Sequence, residues 1–124
     1  MRPQYARSVD TTEALADLVE ISPQIRSVVV VGSDGVVVGS NLADGSAAKM
    51  LADGGLRLAS EADAVRGAHV AQLEVALQSG SVFVVRDGDR AIVATTRAEP
   101  TVGLVFYDLK TALRTIGGAD DAAA

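Results

Sequence analysis

The sequence predicts an α+β fold in which helices cover the faces of a five-stranded, mainly antiparallel sheet. Two observations predict this fold. Short β-branched runs and Ala/Leu-rich stretches follow one another in the order helix, two strands, long helix, three strands, helix. Turn residues separate the neighbouring strands, so we expect consecutive strands to pair as hairpins. The 124 residues are enough for one domain with a single core.

Composition and charge exclude several classes of function. The net charge is −5 and the eleven Lys and Arg residues are scattered singly, whereas nucleic-acid binding needs clustered positive charge. Without cysteine, the chain has no thiol nucleophile, disulfide or thiolate metal site. No apolar stretch approaches the roughly 18 residues of a membrane span, and the N-terminal segment lacks the apolar core of a signal peptide. We therefore expect a cytoplasmic protein that neither inserts into a membrane nor binds nucleic acid.

The first predicted element is a short helix that begins near Asp10. Asp10 and Glu13 have the spacing of a capping box. Pro23 ends the helix, because proline disfavours helical geometry at the residue before it. Residues 1–9 are expected to form a flexible lead-in.

The stretch "SVVVVGSDGVVVGSN", from Ser27 to Asn41, predicts a β-hairpin with its turn at Asp34 and Gly35. Its glycines could also suggest a phosphate-binding loop. They lack the spacing of G-x-G-x-x-G or G-x-x-x-x-G-K-[ST], and the stretch leads into a strand rather than a helix. We therefore interpret it as two strands and a turn, and predict no bound nucleotide or other cofactor.

A long helix is predicted between Ala43 and Arg66, with Gly67 as its stop. Its apolar arc covers roughly half of the circumference, which is more than a helix on a sheet needs. The surplus arc could contact the chain's own sheet or another of its helices, or it could pack on a second copy of the same helix. The residues of this arc are mostly small: Ala48, Ala52, Gly55, Leu56, Ala59 and Ala62.

Three strands at residues 69–77, 81–86 and 90–96 and a helix after Pro100 complete the domain. The first of these strands alternates in hydrophobicity, and if it lies at the sheet edge its free backbone groups can pair with a second chain. Glycines at 117 and 118 are expected to end the last helix. The predicted division is thus a single domain at residues 10–118, followed by a disordered tail at residues 119–124.

The residues that could carry chemistry are better explained by structural roles. His69 is the single histidine and has no partner near it in sequence, which favours a partly exposed structural residue over a general base. Asp87 and Asp89 flank a turn glycine between Arg86 and Arg90, whose charges would repel a cation. We expect a charged hairpin tip there, and we assign no catalytic, cofactor-binding or metal-binding residue.

Several segments, in this order, resemble the Roadblock (dynein light-chain) family, particularly its small stand-alone bacterial members. They are "LVEISPQIRSVVVV", "GSDGVVVGSNL", the long Ala-rich helix, "VFVVRDGDRAIVATT" and "PTVGLVFYDLKTAL", and together they cover about residues 11–116. The resemblance implies an α/β/α sandwich of the Roadblock/longin-like, profilin-like type. In it, the long helix lies on one face of the sheet and the two terminal helices lie on the other.

The resemblance also implies a homodimer, in which the third strand pairs with its mate and the two long helices lie side by side. This arrangement favours the interpretation that the small-residue arc packs on a second copy of the same helix. The implied interface consists of Ala48, Ala52, Gly55, Leu56, Ala59, Ala62, Val70, Gln72 and Glu74.

Members of this family bind and regulate small Ras-like GTPases, which in bacteria include gliding-motility-type GTPases. The sequence is therefore interpreted as a non-enzymatic homodimeric regulator or adaptor of such a GTPase, with Arg57 as a candidate for an arginine supplied in trans. The alternatives are a small-molecule sensory domain and a purely structural dimeric scaffold. By their position on the long helix, the residues of the GTPase-binding platform are Lys49, Met50, Asp53, Arg57, Ser60 and Glu61.

Overall fold

A computed structural model describes the backbone of residues 3–123 and the side chains of residues 11–116. Its five strands form one sheet in the order β2-β1-β5-β4-β3, and all neighbours are antiparallel. The predicted α+β fold and the predicted order of elements are confirmed. The elements are α1 (Pro3–Ile21), β1 (Ile25–Val31), β2 (Val37–Ser40), α2 (Gly45–Arg66), β3 (Gln72–Leu77), β4 (Gly80–Asp87), β5 (Arg90–Thr96) and α3 (Val102–Ala123).

The two terminal helices are longer than predicted. Helix α1 begins at Pro3 rather than near Asp10, and a proline fits the first helical turn because the N–H that it lacks has no intrahelical partner there. Helix α3 continues to Ala123, past the glycine at position 117. A glycine inside a helix costs only about 1 kcal/mol relative to alanine, so it does not by itself end one. The division into a lead-in, one domain and a tail stays a prediction.

The glycine-bearing stretch forms the β1–β2 hairpin that the sequence predicted. Val29, Val30 and Val31 pair with residues of β2 across an antiparallel ladder. Asp34 supports the turn, because its carboxylate accepts a hydrogen bond from the Val36 N–H at 3.1 Å. The stretch thus builds one side of the sheet.

Helices α1 and α3 cover one face of the sheet. Phe83 of β4 is fully buried there, and its ring meets that of Phe106 edge-to-face, with 4.9 Å between the ring centroids. The apolar stripes of the two helices complete this core. They consist of Leu15 and Leu18 from α1 and of Val105, Leu109, Leu113 and Ile116 from α3.

Helix α2 covers the other face, and it approaches the sheet closely. The sheet presents a floor of valines, among them Val29 and Val93. A Cβ added to Gly55 would lie 2.5 Å from both Cγ atoms of Val93, which no ordinary contact allows. The absence of a side chain at this position therefore lets the helix backbone sit directly on the valines. The buried residues of α2 are all small: Ala48, Ala52, Gly55 and Ala59.

This burial corrects one part of the predicted dimer interface. Ala48, Ala52, Gly55 and Ala59 were expected to contact a second copy of the helix, but they face the chain's own sheet and are buried in the single chain. The exposed fractions of the three alanines are only 4%, 0% and 1%, which leaves almost no surface with which to contact another protein. The first of the two readings of the small-residue arc, contact with the chain's own sheet, therefore holds for these four residues.

Gly54→Ala and Gly55→Ala form a matched pair of substitutions that tests the close approach. Helix propensity alone favours alanine at both positions by about 1 kcal/mol. The methyl group at position 54 meets no atom within 4 Å, so we expect Gly54→Ala to raise the free energy of unfolding. The methyl group at position 55 collides with Val93, and overpacking costs about 1–3 kcal/mol, so we expect Gly55→Ala to be clearly the less stable variant. Urea denaturation measures both, and equal stabilities would contradict the close approach.

Candidate interaction surfaces

Caps define both ends of helix α2. At its start, the Asp44 carboxylate accepts a hydrogen bond from the Ser46 N–H at 2.9 Å. At its end, Gly67 has a φ of 69°, and its N–H donates to the Asp63 carbonyl oxygen at 2.8 Å. These caps satisfy polar groups that helix ends leave unpaired. The helix consequently presents 22 residues as one continuous element on the outside of the sheet.

The outer face of α2 contains the predicted platform. Met50 is 76% exposed although it is apolar. Lys49 Nζ and Asp53 Oδ2 form an exposed ion pair at 2.9 Å, a type of contact worth only about 0.3–0.5 kcal/mol. Arg57 forms no hydrogen bond or ion pair with the residues whose side chains the structure describes, so its guanidinium is available to a partner. All six platform residues are exposed: Lys49, Met50, Asp53, Arg57, Ser60 and Glu61.

One flank of α2, between the buried stripe and the outer face, is apolar. Leu51 and Leu58 are half-buried, and Val65 is 84% exposed. These residues are seven apart, so they lie within about 40° of one line along the helix. Ala62 borders the same flank and is half-buried. Leu56, by contrast, lies on the opposite flank, beside the β1–β2 and β4–β5 turns.

Strand β3 is an edge of the sheet, and its outer side has no partner within the described chain. The Arg86 N–H donates to the Ala71 carbonyl oxygen at 2.8 Å, which makes these two residues a hydrogen-bonded pair of the antiparallel ladder. Hydrogen-bonded and non-hydrogen-bonded pairs alternate along such a ladder. The N–H and C=O groups of Gln72, Glu74 and Ala76 therefore point away from β4. They form the free edge that pairing with another strand would use.

The side of β3 that faces α2 is apolar and only partly covered. Leu73 packs on the valine floor under α2, and Val75 and Leu77 share its face because side chains alternate along a strand. Val75 is half-buried and Leu77 is 59% exposed. Apolar surface thus continues from the sheet to its free edge.

A cluster of three residues determines where β3 begins. Arg86 of β4 donates to both carboxylate oxygens of Asp63, at 3.1 Å from Nη1 to Oδ2 and at 2.5 Å from Nη2 to Oδ1. The Val70 N–H donates to Asp63 Oδ1 at 2.7 Å, and the Val70 carbonyl oxygen accepts from Arg86 Nε at 2.8 Å. Both backbone polar groups of Val70 are therefore bonded within the chain. For this reason the strand begins at Gln72 rather than at His69, and the backbone of Val70 is not available to pair with a second chain.

The same cluster perturbs the ionisation of its carboxylate. The hydrogen bonds from Arg86 and then from the Val70 N–H lower the pKa of Asp63 from 3.8 to about 2, and the positive charges of Arg86 and His69 act in the same direction. Sequence reasoning missed this cluster and assigned Arg86 to the hairpin tip. Asp63 and Arg86 are 23 residues apart on different elements, so no local pattern pointed to their contact.

The remaining residues considered for chemistry lie at the surface. His69 is exposed, and so are Asp87 and Asp89 at the β4–β5 turn. Among the side chains of residues 11–116, no group of three or more His, Asp and Glu is placed to hold a metal ion. The described helices include none that is long and apolar enough to cross a membrane.

Comparisons with known proteins identify the fold. No protein-family model matches the chain, and no curated protein matches it in sequence. A Roadblock/LC7 domain from Streptomyces avermitilis aligns with a TM-score of 0.76 and 21% identity, over 86% of this chain and 94% of that one. MglB of Myxococcus xanthus aligns with a TM-score of 0.72 and 15% identity, over 94% and 92% of the two chains. The gliding protein MglB of Thermus thermophilus aligns with a TM-score of 0.60 and 16% identity, over 100% of this chain and 92% of that one. The chain therefore has the Roadblock/LC7 fold that the resemblance implied.

The pKa of Asp63 predicts how stability depends on pH. Its carboxylate has a lower pKa in the folded chain than its ordinary value of 3.8. The charged form therefore stabilises the fold above about pH 4, and this contribution is lost as the pH falls from about 4 to about 2. We expect Asp63→Asn to be less stable than the wild type at pH 7 and to approach it at pH 2. Chemical denaturation at a series of pH values measures this.

Asp53→Asn is the matched control, because it removes another carboxylate of α2 whose partner, Lys49, is exposed. We expect this variant to keep the wild-type loss of stability below about pH 4. If the wild type and Asp63→Asn lost stability in parallel on acidification, the role assigned to Asp63 would be wrong.

Proposed function

We propose that this chain is a non-enzymatic regulator or adaptor that binds a small Ras-like GTPase, and that it does so as a homodimer through the outer faces of its α2 helices. The observation that carries the proposal is the exposed outer face of α2 on a Roadblock/LC7 fold. The fold is shared with the gliding protein MglB, and the family resemblance of the sequence implies a GTPase partner.

The composition of the outer face suits a surface that binds a protein. Met50 and Arg57 are exposed on it, and both residue types are enriched at protein–protein interfaces. Lys49, Asp53 and Glu61 surround them with charges of both signs. Such charges contribute to the orientation and specificity of a bound partner more than to its affinity. A central apolar residue with a polar surround is the usual composition of such interfaces.

Two further surfaces support the homodimer. The free backbone groups of Gln72 and Glu74 can pair with the same strand of a second copy, which removes the unpaired edge from both chains. Leu51, Leu58 and Val65 can then pack against their mates across the two-fold axis. This interface differs from the predicted one, because it uses the apolar flank of α2 in place of the buried small residues.

The proposed regulator acts by differential binding. The GTPase supplies the phosphate loop, the magnesium ion and the chemistry, and the regulator favours the nucleotide state whose conformation it binds better. A tenfold preference requires about 1.4 kcal/mol of differential binding. Arg57 is the one arginine among the six platform residues, and an arginine supplied in trans is a group that stabilises the charge developing on the phosphates.

The double variant Leu58→Glu/Val65→Glu tests the homodimer. Two carboxylates on the flank of each helix would face two more across the axis, and we expect the dimer to weaken by at least about tenfold, the result of about 1.4 kcal/mol. Light scattering over a dilution series measures the mass. Ser60→Glu, on the opposite side of the same helix, is the control and should leave the mass unchanged. A dimer that survives the double variant would place the interface elsewhere.

Met50→Asp/Arg57→Glu tests the GTPase-binding surface. We expect this variant to bind a co-encoded small GTPase at least about tenfold more weakly in the nucleotide state that the wild type prefers. A pull-down with the GTPase in its GDP-bound and GTP-analogue-bound forms, followed by titration, measures the affinities. Tyr107→Ser replaces an exposed residue on the opposite side of the sheet and should bind as the wild type does.

The same titration separates regulator from scaffold. Equal affinity of the wild type for both nucleotide states would indicate a scaffold, and absence of binding in both states would remove the proposal. Arg57→Ala distinguishes the two roles of the arginine. If the variant still binds the GTPase but GTP hydrolysis is slower than with the wild type, Arg57 acts in trans. If hydrolysis is equally fast with the variant and with the wild type, Arg57 serves binding alone.

A further inference from the structure

We propose that the groove between α1 and α3 is a docking site for a basic amphipathic helix of a partner protein. The groove lies on the face of the sheet opposite α2, so it can be occupied while α2 is bound to another protein. It is open to solvent and has a volume of about 240 Å³, and its lining residues come from these two helices: Ala14, Asp17, Leu18, Ile21, Asp108, Thr111, Ala112 and Thr115. This inference does not depend on the proposed GTPase partner.

The floor of the groove is apolar and formed mainly by small side chains. Leu18 is buried at 3% exposure, and Ala14 and Ala112 are half-buried on either side of it. Ile21 stands at the end of α1 with 76% of its surface exposed. Small residues leave room for side chains of a partner, and Ile21 supplies apolar area for them to cover. The floor thus provides the hydrophobic part of a helix-binding groove.

The rim of the groove is acidic. Asp17 of α1 and Asp108 of α3 both line it, and no lysine or arginine is among the described residues that do so. Among residues 11–21 of α1, whose side chains the structure describes, there are two further acids, Glu13 and Glu20, and no lysine or arginine. The groove therefore attracts lysine and arginine side chains and repels acidic segments and anionic membranes.

The basic residues of α3 lie on its other flank. Lys110 and Arg114 line a separate cleft beside β3 and β4 together with Arg86, and Asp87 is the one acid among the described residues that line it. The two clefts along α3 thus carry opposite charge. Because acidic and basic side chains are separated in this way, the groove differs from an apolar patch on a surface of evenly mixed charge. The separation favours a positively charged partner in the groove.

The dimensions of the groove fit a short helix. The lining residues of α1 extend from Ala14 to Ile21, which at 1.5 Å per residue is about 10 Å, or two helical turns. Two turns of a bound helix place two or three apolar residues, at positions i, i+3 or i+4 and i+7, on the floor of the groove. Lysine or arginine residues beside them then reach Asp17 and Asp108.

Two designed peptides test the proposal on the full chain. Each is about 14 residues long, or four turns, with leucines at the same helical spacing; one carries lysines at the remaining positions and the other carries glutamates. Fluorescence anisotropy of the labelled peptides measures their affinities. We expect the Leu/Lys peptide to bind saturably and the Leu/Glu peptide to bind at least about tenfold more weakly, because only the first pairs with the acidic rim.

Two variants assign the binding to the groove. Ile21→Asp removes apolar area, and Asp17→Lys/Asp108→Lys reverses the rim; each should weaken the Leu/Lys peptide at least about tenfold. Asp87→Lys/Asp89→Lys is the matched control. It changes the net charge by the same amount at the exposed β4–β5 turn, whose residues do not line the groove. We expect less than about a threefold effect at physiological salt, because long-range interactions between exposed charges are screened.

The outcomes separate the possible occupants. Loss of binding in both groove variants, with the control unchanged and the far-UV circular dichroism of all variants preserved, supports the proposal. Equal binding of both peptides, or equal losses in the groove and control variants, overturns it. Absence of saturable binding of the Leu/Lys peptide also overturns it. If, in that case, Ile21→Asp lowers the mass of the protein in light scattering, the groove is an interface between copies of this chain.

Discussion

The close approach of α2 to the sheet is the contact on which the surfaces of this protein depend. Gly55 has no side chain, and the backbone there lies directly on Val93, where even a methyl group would collide. Ala52 and Ala59 continue this contact along the helix. Because the small residues of α2 pack on the chain's own sheet, the larger and charged residues of this helix face solvent. The platform is therefore exposed because the opposite side of α2 packs on the sheet.

The second constraint is the hydrogen-bonded cluster of Asp63, Arg86 and Val70. It joins the last turn of α2 to β4 and occupies both backbone polar groups of Val70. The chain can therefore enter the sheet only after this residue, and the free edge of β3 begins at Gln72. The cluster thus determines which backbone groups a second copy can use, although none of its carboxylate or guanidinium atoms belongs to the proposed interface.

The two faces of the sheet present surfaces of different chemistry. On one side, α2 offers mixed charges around Met50 and an apolar flank that ends at Val65. On the other, the α1–α3 groove combines an apolar floor with Asp17 and Asp108 at its rim. One partner or copy bound on the first side leaves the second accessible. The two proposals together would place two proteins on opposite faces of one sheet, which is the property that an adaptor requires.

The sequence by itself determined the elements, their order, the β1–β2 turn and the exposed side of α2. Periods of two and 3.6 residues, together with Gly, Pro and Asp at the turns, are local properties, and they survive folding. The tertiary structure alone decided that Ala52 and Gly55 face the chain's own sheet, that Arg86 binds Asp63, and that two acids of different helices share one groove. Periodicity gives the angle of a residue around its helix, but it does not say which element lies opposite. Contacts between residues far apart in sequence form only when the elements pack.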